Sequence, residues 1–192
     1  MNYKYGRFLP SGKFEITDPN TPYPWINYLT NGDYCALTSQ HGGGFSFYKD
    51  PVQHGILRRE MNSTLRDCPG RFFYLQDTER DLAWSPNRVP MDVDLDNYKC
   101  IHEPGLTKIE SSYKGIEVVI TYFVPPKQQH EIWKISVSNS TSSPRKIRVI
   151  SLSEWLMGNT KKDSLDRHWD VLTKSIDYID PGTLIGQKRK WR

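Results

Sequence analysis

Residues Ile116–Val124 read IEVVITYFV, and the alternation in this stretch decides the fold class. Successive side chains of a strand point to opposite faces. Ile116, Val118, Ile120, Tyr122 and Val124 therefore share one face, and Glu117, Val119, Thr121 and Phe123 share the other. Pro125 and Pro126 end the strand, because neither has an N–H to give to a ladder. Working outward, 131–139 (EIWKISVSN) sets Trp133, Ile135 and Val137 against Ile132, Lys134 and Ser136. The polar turn at 138–146, SNSTSSPRK, then leads into 146–155, KIRVISLSEW. The three stretches are expected to be antiparallel neighbours in one sandwich.

The same pattern extends upstream. Residues 13–17 (KFEIT), 34–39 (YCALTS), 71–76 (RFFYLQ) and 107–111 (TKIES) are short strand candidates bounded by Gly, Pro or Asp. Thirteen Gly and thirteen Pro punctuate the 192 residues, and no stretch between them sustains a 3.6-residue period. The expectation is an all-β chain with one core. The polar segment NTKKDSLDRHWDVLTK at 159–174 reads as a loop or a short helix, with Asn159 and Asp163 as its candidate caps. Residues 175–192 alternate again around Pro181-Gly182 and predict a hairpin whose second strand lacks a further partner. Whole domains usually protect such an edge, so the hairpin points to a sheet incomplete at the C-terminus.

Composition narrows the function classes. Basic residues number 26 against 22 acidic, and the signs are interspersed, which does not suit a nucleic-acid footprint. The one dense basic run, Lys188, Arg189, Lys190 and Arg192, reads as a solvated strand edge. Cys35, Cys68 and Cys100 are odd in number and lack ligand spacing, so neither a metal site nor a disulfide framework is expected. No apolar run has the length of a signal peptide core or a membrane span, and a cytoplasmic protein is the expectation. The sequons at Asn62 and Asn139 are then coincidental. Aromatic residues make up 12% of the chain, with six Trp and eleven Tyr, a composition suited to sheets and to sugar-binding surfaces.

Residue patterns by themselves yield no catalytic centre. Gly42-Gly43-Gly44 before Phe45-Ser46-Phe47-Tyr48 lacks the Lys-Ser/Thr of a phosphate loop and reads as a tight turn before an aromatic strand. Trp25 and Tyr28, in the proline-stiffened TPYPWINYL, suit packing as well as ligand contact. His41, His54, His102, His130 and His168 show no paired spacing. Asp77, Glu79, Asp81, Asp92, Asp94 and Asp96 cluster in turns, and nothing in the sequence sets two of them across a sugar-sized gap.

Taken in order, FEITDPNTPYPWINYL, GGGFSFYKDP, DCPGRFFYLQD, WSP, LDNYKC, GLTKIESSYKGIEVVITYFVPP, EIWKISVSN and SEWLMGN resemble the amino-terminal domain of glycoside hydrolase family 94, the cellobiose, cellodextrin, laminaribiose and chitobiose phosphorylases. The resemblance is collinear over nearly the whole chain. It departs at Asn87-Arg88-Val89-Pro90, where the family reads WSPxWQPV, and at Ile101, which stands in place of an Arg.

The resemblance implies an antiparallel super-sandwich of the galactose mutarotase kind, spanning 1–192 as the N-terminal β domain of a phosphorylase whose (α/α)6 catalytic barrel is absent here. It also implies inverting phosphorolysis of a β-linked gluco-oligosaccharide, with inorganic phosphate as co-substrate, no cofactor and no metal. A single acid then suffices, because phosphate is already nucleophilic. In the family that acid lies in the barrel, so no residue of this chain is expected to be catalytic. The sandwich is expected to form a homodimer contact and to bind neither nucleic acid nor membrane. A loop after Glu154-Trp155-Leu156-Met157-Gly158 is expected to help bind sugar through Asn159, Asp166, Arg167 and His168, by likeness to a polar Gln-Arg-Asn stretch in cellobiose-type members. The rival expectation is a stand-alone sugar-binding sandwich without enzymatic activity.

Overall fold

The computed structural model describes residues 2–58, 70–165 and 172–189. It is all-β and built from antiparallel sheets, with a single short helix among the described elements. The largest sheet has seven strands, in spatial order β1 (Asn2–Tyr3), β2 (Gly6–Phe8), β3 (Phe14–Ile16), β10 (Asn97–Glu103), β11 (Leu106–Tyr113), β12 (Ile116–Phe123) and β13 (Ile132–Asn139). Two smaller sheets are β15 (Trp155–Gly158), β7 (Gly55–Leu57), β6 (Ser46–Tyr48), β5 (Tyr34–Ser39) and β4 (Ile26–Thr30), and β14 (Ile147–Ser153), β8 (Arg71–Asp77) and β9 (Leu82–Trp84). A hairpin of β16 (Lys174–Ile179) and β17 (Thr183–Lys188) follows helix α1 (Thr160–Leu165).

The alternation in β12 is realised face by face. Ile116, Val118, Ile120, Tyr122 and Val124 are all between 0% and 8% exposed. They meet Leu29, Tyr34 and Ala36 of the five-stranded sheet and Phe73, Leu75 and Trp84 of the three-stranded one in a single core. The inner faces of the three sheets thus share one apolar layer, which is the arrangement expected of a sandwich.

The glycine turn ahead of β6 behaves as a tight turn. Gly42 has φ +75° and Gly44 has φ +135°, a region that suits glycine. A Cβ on Gly42 would run into the Asn87 amide and the Tyr122 hydroxyl, and one on Gly44 would run into the Leu37 carbonyl. Trp25 packs edge-on against Phe14 and Tyr5, while Tyr28 is exposed.

One expectation about neighbours is overturned. β12 and β13 pair in register from Ile116 opposite Asn139 to Phe123 opposite Ile132, but β14 does not join them. It lies against β8 in another sheet, with Ile147 opposite Asp77 and Ser153 opposite Arg71. The cause lies at the end of the polar turn. Asp77 is fully buried, and the Arg145 guanidinium closes on its carboxylate at 2.5 Å while also donating to the Lys114 carbonyl at 3.0 Å. A buried carboxylate must be paired, so the chain entering β14 is held beside β8. The 146–155 stretch is also not one strand. At Glu154 its N–H donates to Gly70 and its carbonyl accepts from Arg58, and the chain passes from the three-stranded sheet to the edge of the five-stranded one as β15.

Candidate functional site

The segment after β15 owes its shape to contacts made far away in sequence. Asn159 is the N-cap of α1: its Oδ1 accepts from the Lys162 N–H at 2.9 Å, and its carbonyl accepts from the Asp163 N–H at 3.1 Å. The other end of the amide, Nδ2, donates to Gln53 Oε1 at 2.9 Å. Thr160 adds two bonds, from its N–H to the Val52 carbonyl and from its hydroxyl to the Pro51 carbonyl, both 2.8 Å. The 51–53 loop thus receives the start of α1.

Asp163, a cap candidate by its sequence, serves instead as the acid of a buried ion cluster. Arg58, just past β7, grips it at two points, Nε to Oδ2 at 2.9 Å and Nη2 to Oδ1 at 2.7 Å, with both side chains buried. Glu154 lies 3.6 Å from Arg58 Nη1, and Lys174 Nζ stands 4.0 Å from Asp163 Oδ1 while donating to the Trp155 carbonyl at 3.0 Å. Gly186 of β17 faces the Trp155 ring and the Met157 sulfur, where a side chain would not fit. The junction therefore ties β7, β15, α1, β16 and β17 together. Arg58 carried no sequence signal, because its partner is 105 residues away.

Of the expected sugar-binding residues, Asn159 is placed here as a cap, and Asp166, Arg167 and His168 lie outside the described residues. Cys68 lies outside them as well.

Several other chemistry-bearing side chains have structural partners. His102 is bridged by Thr107 at 2.9 Å and the Trp25 carbonyl at 3.0 Å, and burial lowers its pKa. His41 is lowered to about 4, first by burial and then by the Arg88 charge. Burial also pushes the Cys100 thiol up, so it is a poor nucleophile. Asp92 and Asp94 flank Arg88 at 2.9 and 3.6 Å, and Asp96 caps the Lys114 N–H at 2.5 Å. Burial raises the Asp77 pKa, but the Arg145 hydrogen bond and two backbone N–H donors outweigh it and leave that pKa lowered. Among the described residues no group of three or more His, Cys, Asp or Glu is placed to hold a metal ion, and no helix is long and apolar enough to cross a membrane. A groove of about 600 Å³, lined by Thr30, Asn31, Leu106, Thr121, Phe123 and Lys127 among others, shares no residue with the junction.

The sequence profile of the family described as "Glycosyl hydrolase 94, supersandwich domain" matches residues 12–192. The chain belongs to glycosyl hydrolase family 94. Three proteins to which this family 94 supersandwich is similar are named as phosphorylases. It is 30% identical over 178 residues to the N,N'-diacetylchitobiose phosphorylase of Vibrio furnissii, covering 91% of this chain and 22% of that protein. It is 36% identical over 148 residues to the 3-O-beta-D-glucopyranosyl-beta-D-glucuronide phosphorylase of Paenibacillus borealis, covering 77% and 18%. It is 31% identical over 159 residues to the solabiose phosphorylase of the same organism, covering 79% and 20%. The supersandwich thus spans about a fifth of the length of these relatives.

Proposed function

We propose that this chain is the N-terminal carbohydrate-binding and dimerisation domain of an inverting β-glycoside phosphorylase that works in the cytoplasm. The observation that carries the reading is the family match over 12–192, joined by three relatives of 30% identity or more that are named as phosphorylases of glycosides. In this reading a β-linked gluco-oligosaccharide and inorganic phosphate are the substrates, and a sugar 1-phosphate is a product. Phosphate attacks the anomeric carbon while one carboxylic acid protonates the departing glycosidic oxygen. That acid belongs to the barrel rather than to residues 1–192. In the junction, Glu154 and Asp163 both face the Arg58 guanidinium and are occupied by it, which suits a domain without a general acid of its own.

The domain's own part is to bind sugar and to carry the homodimer contact, with no nucleic-acid or membrane partner and no cofactor. The segment 159–168 is the proposed sugar contact, through Asn159, Asp166, Arg167 and His168. Polar side chains on a segment held against a rigid sheet suit hydroxyl-rich ligands.

Titration of the 15N-labelled chain with cellobiose and with N,N'-diacetylchitobiose tests the reading. Shifts confined to the 159–168 amides are expected, and Arg167→Ala is expected to weaken binding at least about tenfold, as loss of a charge-assisted hydrogen bond does. Absence of saturable shifts with either sugar overturns the sugar-binding role. A phosphate-consumption assay tests the rest: the chain alone is expected to be silent, and turnover by it would place the chemistry here.

A further inference from the structure

The buried ion cluster at the foot of α1 carries an inference about how the proposed sugar contact is held. Four observations converge on Arg58. Its guanidinium meets Asp163 in the two-point geometry that fixes direction as well as distance. Asp163 is the fourth residue of α1, so the grip falls on the first turn of the helix. The backbone of Arg58 is locked to the corner where the chain changes sheets, its N–H donating to the Glu154 carbonyl at 2.8 Å. Glu154 and Lys174 then flank the pair on either side at 3.6 and 4.0 Å. A lysine in place of Arg58 would keep the charge, but it is a point donor and could not fix the direction of the carboxylate.

We propose that Arg58 is a positioning residue: through Asp163 it sets the place and direction of the Asn159–Leu165 turn, and so the affinity of this domain for a β-linked disaccharide. This inference rests on the sugar-binding role proposed above for the same segment. Arg58 touches no sugar in it. Its effect passes through the first turn of α1, which the Asp163 carboxylate ties to it at two points.

The test compares the native chain with Arg58→Lys, Asp163→Asn and Arg167→Ala, reading amide hydrogen exchange and the dissociation constant for cellobiose and N,N'-diacetylchitobiose. Arg58→Lys is expected to speed exchange of the α1 amides at least about tenfold while leaving the β12 amides as they are, the signature of local rather than global opening. It is expected to weaken disaccharide binding by about the same factor. Asp163→Asn, which leaves Arg58 without its acid and stays close in size, is expected to do likewise and guards against a single variant that fails to fold.

Faster α1 exchange with unchanged affinity would show Arg58 to be merely structural and overturns the inference, as does α1 exchange that the variants leave alone. If Arg167→Ala weakens binding and the Arg58 and Asp163 variants do not, this inference fails and the proposed function stands. If the native chain binds neither disaccharide, both fail together.

Discussion

Arg71 and Glu131 form a 2.8 Å ion pair inside the sandwich, with side chains 1% and 7% exposed. The remaining donors of Arg71 go to the Leu37 carbonyl at 2.6 Å, the Thr38 hydroxyl at 2.5 Å and the Gly42 carbonyl at 3.2 Å. Glu131 in turn accepts from the Trp133 indole at 2.8 Å and the Tyr34 hydroxyl at 3.1 Å. The pair joins β8, the β5 end and the entry to β13, so three sheets share one charge network. Removing one partner strands the other charge in the core and is expected to cost about 3–5 kcal/mol. Arg71→Met and Glu131→Leu should each lower the urea midpoint accordingly. The double replacement Arg71→Met, Glu131→Leu should recover part of the loss, because no charge is left unpaired. Additive losses in the double variant would contradict this account.

Acid sensitivity follows from His41. The unfolded chain takes up this proton near the ordinary 6.5, whereas burial, and then Arg88, hold the folded value at about 4. Between those values the unfolded state binds more protons, so stability falls as the pH is lowered from 6.5 towards 4, by up to about 3 kcal/mol in total. Thermal melts across that range should show a falling Tm, flattened in His41→Gln. An equal slope in the variant would assign the effect elsewhere.

Glycines at positive φ are expected to differ by what surrounds them. Gly44→Ala combines φ +135° with a Cβ driven into the Leu37 carbonyl, whereas Gly105→Ala has φ +78° and open space around it. Strain alone is expected to cost about 1 kcal/mol at Gly105, with more than about 2 kcal/mol at Gly44, where backbone must also move. Chemical denaturation of the two variants gives the comparison, and equal losses would count against it.

The two faces of β12 should respond differently to truncation. Ile120 is fully buried, and Ile120→Ala is expected to cost about 2–5 kcal/mol through lost burial and the cavity left behind. Thr121, on the opposite face, is only partly buried, and Thr121→Ala should stay within about 0.5 kcal/mol. Similar costs at both positions would mean that the face assignment is wrong.

Much of the fold could be read along the chain. Tyr34–Ser39 is a strand at the boundaries its pattern predicts, and the strand read at 71–76 runs to Asp77. β10, central to the largest sheet, is not legible in the sequence. Its residues NYKCIHE bury Cys100 alone and carry no clear apolar alternation. The site was less legible. Asn159 could be read as a cap, but Asp163 looked like one too, and Arg58 looked like nothing.

By itself the sequence determined that this is a β protein, where strands such as β12 lie, and which of their faces turn inward. Those properties follow from a period of two and from residues that fit a pleated sheet, and both are local. Only the tertiary structure decided that β14 leaves its sequence neighbour for β8, and that α1 stands where Arg58 reaches Asp163. Each of these rests on a buried charge meeting its opposite, Arg145 with Asp77 and Arg58 with Asp163, 68 and 105 residues apart. The energy of such a pair depends on distance and burial in space, and neither quantity is written in the spacing of residues along the chain.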